Sequence, residues 1–178
     1  MTSVNRTIVL IGLMGAGKSR VGAELSRLLK MPFVDSDKEI ERSAGLPIPE
    51  IFEKFGEAAF REGERKVILR LLSQSPVVLA SGGGAFIQPE IRSAIKEKAI
   101  SVWLKADLAT LVERTARSAG KRPLLRDVDP EQKLKELMDI RYPVYAEADI
   151  TVHTDHQTPR QMAKTICRQI DAYTEKTG

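Results

Sequence analysis

The sequence predicts an α/β fold, with a parallel sheet covered on both faces by helices. Three observations carry that reading. Strand-like and helix-like segments alternate along the 178 residues. The first strand segment is a run of five apolar or β-branched residues, the pattern of a short buried strand. A glycine-rich turn joins that strand to a helix-periodic segment. No repeat, low-complexity tract or linker interrupts the alternation, so residues 1–178 read as one domain with a full-sized core.

The expected strands span 7–11, 32–35, 77–80, 100–104 and 150–153. The expected helices span 18–30, 36–43, 48–55, 57–74, 89–96, 108–115, 130–141 and 159–174, with Gly45, Pro47, Gly56 and Pro76 as punctuation. Residues 12–19 fit G-x-x-x-x-G-K-[ST], a phosphate-binding loop. Val21, Leu25, Leu28 and Leu29 then fall at i, i+4, i+7 and i+8, one face of a helix. Strand, glycine turn and helix in that order are the context the motif needs. Gly12, Gly15 and Gly17 allow backbone approaches that a side chain would block, so successive N–H groups can cradle phosphate oxygens at the helix start. Lys18 is expected to reach the β- and γ-phosphates and Ser19 to ligate Mg²⁺.

The strand at 32–35 ends in Asp35-Ser36-Asp37. Residues two apart on a strand point the same way, so both carboxylates can face one site. Asp35 is suited to hold a water of a Mg²⁺ shell and Asp37 to take a proton from an attacking hydroxyl. The competing reading is an N-cap pair for the following helix. Gly82, Gly83 and Gly84 follow another strand and offer bare backbone to a ligand. On the expected helix at 57–74, Arg61 flanks an apolar face that includes Phe60, Val67 and Leu71, and alone reads as a surface or ion-pairing arginine. Arg141, beside Tyr142 and Pro143, reads equally well as a cation at a helix C-terminus.

The net charge of +4 is local. Residues 113–127 hold Arg114, Arg117, Lys121, Arg122 and Arg126 against Glu113 and Asp127, a loop fit to close over phosphates rather than a nucleic-acid stripe. Cys167 is the one cysteine, so no internal disulfide forms, and its helical neighbours Met162, Ile166 and Ile170 place it in or near the core. The apolar run after Arg6 is too short for a secretory signal, and no stretch approaches a membrane span. A cytoplasmic protein without nucleic-acid or membrane partners is expected.

Residues 12–19, Asp35-Ser36-Asp37, Phe60-Arg61 with Glu64, Gly82-Gly83-Gly84, Arg122-Pro123-Leu124-Leu125 and Arg141-Tyr142-Pro143-Val144-Tyr145 together resemble shikimate kinases in order and spacing. The resemblance covers roughly residues 5 to 170. It implies a three-layer α/β/α, nucleoside-monophosphate-kinase-like fold with a five-stranded parallel sheet, a mobile lid at about 114–128 and a substrate-binding region at about 35–65. It also implies a monomer that transfers phosphoryl from MgATP to the 3-hydroxyl of shikimate, on the route to chorismate and the aromatic amino acids. On the matching positions, Gly15, Ala16, Gly17, Lys18, Ser19 and Arg20 would contact the nucleotide. Asp37, Arg61, Gly82, Gly83, Gly84 and Arg141 would bind shikimate, with Asp37 a candidate base and the two arginines clamping the carboxylate. Arg122 would swing in with the lid to neutralise the transferring phosphoryl, and Arg114 and Gln157 would flank adenine.

Three departures from the family pattern stand out. Arg20 occupies a place usually small or β-branched, Ser81 one where threonine or leucine is frequent, and Arg117 competes with Arg114 for the adenine. The rival readings are another small-molecule kinase on this scaffold, such as one for gluconate, a nucleotide switch, and a basic nucleic-acid protein. A guanine-reading Asn-Lys-x-Asp run, which a GTPase switch needs, is absent from the sequence.

Overall fold

The computed structural model describes residues 4–117, 123–154 and 156–178. Five strands, β1 (Thr7–Ile11), β2 (Phe33–Asp35), β3 (Val78–Ala80), β4 (Ala99–Lys105) and β5 (Ile150–His153), form one sheet in the order β2-β3-β1-β4-β5. Every pairing is parallel. All five residues of β1 are buried, as are the first six of β4, so both faces of the central sheet are covered. At the edge, β5 alternates buried and exposed residues.

The helices are α1 (Lys18–Leu29), α2 (Ser36–Ala44), α3 (Ile48–Leu72), α4 (Pro89–Lys98), α5 (Leu108–Ala116), α6 (Pro130–Tyr145) and α7 (Pro159–Thr177), with a 3₁₀ turn at Pro123–Leu125. They complete the expected three-layer α/β/α arrangement. Because all strands run the same way, the segments after β1, β2 and β3 leave the sheet at one edge, where ligands bind in open α/β folds. The loop of residues 12–17, Asp35 and the three glycines at 82–84 therefore start from neighbouring strand ends.

Element boundaries are informative at three places. The break expected at Gly56 is present: φ 84° and ψ 172° interrupt an otherwise continuous α3. That kink lets Phe52, before it, meet Phe60, after it, with ring centroids 4.7 Å apart. The strand-alternation argument for Asp35 and Asp37 fails, because the helix begins at Ser36. Asp35 is the N-cap, and its Oδ1 accepts from the backbone N–H of Asp37 (2.9 Å) and Lys38 (3.4 Å). Helix α6 does not stop at Arg141 but continues through Pro143 to Tyr145. Pro143 is exposed and so is Asp139, whose carbonyl loses its helical donor, so water can satisfy that oxygen. The buried packing of Tyr145, and of Tyr142 edge-on against Trp103 at 4.9 Å, holds the last turn in place.

Cys167 is buried, as its helical pattern implied. No helix among the described residues is long and apolar enough to cross a membrane. Helix α1 lies close to the sheet through Gly22, where an added Cβ would sit 2.5 Å from the Phe33 ring and 3.3 Å from a Leu10 methyl. Gly22→Val should therefore destabilise the protein by about 1–3 kcal/mol through overpacking, read as a lower urea midpoint at unchanged m-value.

Candidate active site

Helix α1 begins without a side-chain cap. Its N-cap is Gly17, in the left-handed region at φ 94°, with Gly15 likewise at 85°. Only glycine adopts these angles without strain, and the resulting turn brings backbone amides to a helix start that no side chain caps, the arrangement that binds phosphate. Lys18 Nζ donates to the carbonyls of Gly12 (2.5 Å) and Leu13 (3.1 Å), so its ammonium lies across the loop. Arg114 of α5 donates from Nη1 to the Gly15 and Ala16 carbonyls, both at 3.2 Å, and covers the loop from the other side. Arg117 is exposed, pairs with Glu113 at 3.1 Å and also borders the cleft. Of the two lid-side arginines, Arg114 is the one on the phosphate loop.

Ser19 Oγ donates to Asp35 Oδ2 at 2.9 Å. Asp35 thus uses one oxygen to cap α2 and the other to meet the loop, which reconciles the capping and functional readings. A hydroxyl beside one carboxylate is the sparse oxygen set that Mg²⁺ accepts when phosphates and waters supply the rest. Among the described residues no group of three or more His, Cys, Asp or Glu forms an all-protein metal cage.

Asp37, the second residue of α2, is half-buried. Burial, then the nearby Asp35 and Glu64 carboxylates, push its carboxyl up to about 6, against the opposing pull of Lys18. An added Cβ on Gly82 would lie 3.1 Å from Asp37 Oδ1 and 2.6 Å from Glu64 Oε2, so both carboxylates border the same glycine. Glu64 is fully buried. Its Oε1 accepts from Arg61 Nη1 (2.9 Å) and Gln88 Nε2 (2.9 Å), while Oε2 has no hydrogen-bond partner among the described residues. Burial raises its pKa, and Arg61, Gln88 and Arg141 hold that rise back.

The two arginines that the residues alone did not single out converge here. Arg61 is ion-paired, as that reading held, to Glu64 and to Glu57 (3.3 Å), and its Cζ lies 5.1 Å from the Phe60 ring centroid. It also packs on bare backbone, for a Cβ on Gly84 would come within 2.5 Å of that Cζ. Arg141 is buried in the interior of α6, not at a helix end, and a Cβ on Gly83 would lie 2.9 Å from its Nη1. Guanidinium groups from α3 and α6 thus each border one of two consecutive glycines.

All of these groups line one cleft of about 950 Å³. It takes in Gly15, Ala16, Gly17, Lys18, Ser19, Arg20, Asp35, Asp37, Arg61, Gly82, Gly83, Gly84, Arg114, Arg141 and Gln157. Arg122 lies outside the described residues. The residues alone did not foretell an apolar wall from Met14, Ile48, Phe52 and Leu124, or Thr154 at the nucleotide end. Glu64 could have been found: it falls on the stripe of Phe60, Val67 and Leu71, where a carboxylate has no business unless it is paired.

A parallel sheet with a phosphate loop after its central strand, and a cleft that joins this loop to an arginine-lined pocket, defines a P-loop kinase. A family model described as shikimate kinase matches residues 14–171. The chain belongs to the shikimate kinase family. It is 52% identical over 170 residues to a shikimate kinase of Paramagnetospirillum magneticum, covering 96% of this chain and 87% of that one. A solved structure of shikimate kinase from Acinetobacter baumannii in complex with shikimate is 43% identical, with TM-score 0.92, covering 96% of this chain and 95% of that one. A gluconokinase from Sinorhizobium meliloti, at 20% identity and TM-score 0.55 over 98% of both chains, shares the fold alone.

Asp37 also gives the pH dependence of stability its sign. Its folded pKa of about 6 lies above the unfolded value of 3.8, so the protein is favoured while the group is protonated and loses that advantage as pH rises through 6. Asp37→Asn removes the penalty. Relative to the parent, the variant should gain about 3 kcal/mol between about pH 4 and about pH 7, measured by denaturant unfolding of the ligand-free proteins. Parallel stability curves would contradict the raised pKa.

Proposed function

We propose that this chain transfers the γ-phosphoryl group of MgATP to the 3-hydroxyl of shikimate, giving shikimate 3-phosphate and ADP for chorismate and aromatic amino acid synthesis. The observation that carries the reading is the convergence of Arg61 and Arg141 on the bare backbone of residues 82–84, beside Asp37. Two guanidinium groups bordering consecutive glycines suit a planar carboxylate, which each can bind through paired N–H donors. Among the described residues Arg141 has no carboxylate within 4.0 Å. A buried cation of this kind is satisfied by an anionic acceptor.

In this reading the amides of Gly15, Ala16 and Gly17, with Lys18, hold the triphosphate tail, and Arg20 stands at the outer edge of the loop. Ser19 and, through water, Asp35 hold Mg²⁺, which offsets charge on the phosphates. Asp37 orients the acceptor hydroxyl and takes its proton; a raised pKa brings its basicity near working pH. The transition state is loose, so positioning and charge neutralisation carry most of the catalysis. Arg122 supplies part of that charge from a lid at about 114–128 that excludes water on closing. Arg114 and Gln157 flank the adenine, and residues 35–65 form the acceptor region. The whole is a single-domain, monomeric, cytoplasmic kinase.

An ADP-release assay that offers shikimate, gluconate and nucleoside monophosphates in parallel tests the reading. Turnover with shikimate alone is expected, and preference for either other acceptor would refute it. Arg61→Lys and Arg141→Lys should each raise the shikimate KM by roughly 10- to 100-fold, the equivalent of a charge-assisted hydrogen bond, at nearly unchanged ATP KM. Arg122→Ala should instead lower kcat by roughly 100-fold or more; equal losses in kcat and in shikimate affinity would remove it from the transition state.

A further inference from the structure

Tyr145 is fully buried one turn beyond Arg141 on α6, so both side chains lie on the same face of the helix. Its hydroxyl donates to the carbonyl of Gly83. The Arg141 guanidinium lies close by, against the same residue of main chain. The ring is held from behind by Trp103, at a centroid distance of 5.8 Å, and by Tyr142 at 6.1 Å. A Cβ on Gly83 would stand 2.9 Å from Arg141 Nη1 and 3.7 Å from the Tyr145 oxygen, so the three groups meet at one point of main chain.

We infer that Tyr145 is a positioning residue for the acceptor, its hydroxyl pinning the Gly83 carbonyl and with it the stretch of bare main chain against which the Arg141 guanidinium lies. A long flexible cation otherwise loses rotamer freedom whenever it binds an anion. A surface fixed beforehand limits the positions the guanidinium can take and removes part of that loss, which is preorganisation. The inference rests on the reading of residues 82–84 and Arg141 as the acceptor site.

Tyr145→Phe keeps the ring and removes only the hydroxyl. Tyr142→Phe is the matched control, since Tyr142 donates its hydroxyl to the Ala106 carbonyl at 2.6 Å within the same aromatic cluster. Tyr145→Phe should raise the shikimate KM roughly three- to tenfold, the effect of one hydrogen bond, with kcat and the ATP KM within about twofold. Tyr142→Phe should leave the shikimate KM in place whatever it does to the melting temperature. In the ligand-free protein, backbone amide exchange of residues 82–85 should be faster in Tyr145→Phe than in the parent or the control. An unchanged shikimate KM, or the same rise in both variants, overturns the inference. A parent inactive on shikimate would defeat the functional reading, while the exchange measurement would still decide whether Tyr145 holds the loop: faster exchange supports it and equal exchange refutes it.

Discussion

Three residues of main chain without side chains govern the acceptor half of this molecule. At Gly82 a methyl group would push into Glu64 and Asp37, at Gly83 into Arg141, and at Gly84 into the guanidinium of Arg61. Alanine at any of the three would displace a charged group from the cleft. The requirement is one of space and not of dihedral freedom, because none of these glycines is among those in the left-handed region. The phosphate loop uses glycine for the opposite reason. Gly15 and Gly17 do take positive φ, and there the turn itself turns the amides inward. The same residue type thus serves conformation on the donor side and clearance on the acceptor side.

Clearance alone would not hold the arginines. Each guanidinium is fixed by its own surroundings before any ligand arrives. Arg61 has Glu64 on one side, Glu57 on the other and the Phe60 ring beneath. Glu64 in turn is tied down by Gln88, which precedes Pro89 at the start of α4. A buried carboxylate left with a single partner would be costly, and losing either donor would leave charge stranded in the interior. Arg141 lies against Gly83 beside the Tyr145 hydroxyl. In the proposed reading Arg61 is largely neutralised within the protein, whereas the charge of Arg141 is available to an anionic acceptor.

What could be read from the sequence divides along the same line. The donor side was legible because its chemistry is local. Strand, glycine turn, Lys18, Ser19 and helix are contiguous, and each constrains the next through backbone geometry. The acceptor side is assembled from α2, α3, the turn after β3, and α6, and no local pattern joins them. Arg61 and Arg141 looked ordinary by themselves, and only the ordered set of motifs brought them forward. One physical signal was nonetheless present. Glu64 lies in line with Phe60, Val67 and Leu71, and Arg141 in line with Leu134, Leu137 and Tyr145, so each helix carries a charge on its buried stripe. Asp35 illustrates the reverse error. Its placement facing the site was right, but the reason given, alternation along a strand, was not, because capping ended the strand at that residue.

This division bears on how related kinases can diverge. The gluconokinase shares the fold over 98% of this chain at 20% identity, and a shared fold does not by itself fix the acceptor. Selectivity must then come from elements that can change without disturbing β1 and α1. The buried charges on α3 and α6 meet that condition, since they project from the edge of the helical layers onto the turn after β3. They are also hard to change singly. Replacing Glu64 alone would leave Arg61 without its main partner, and replacing a glycine of the turn would evict an arginine. In the proposed reading a change of acceptor therefore requires the stripe charges and the turn to change together.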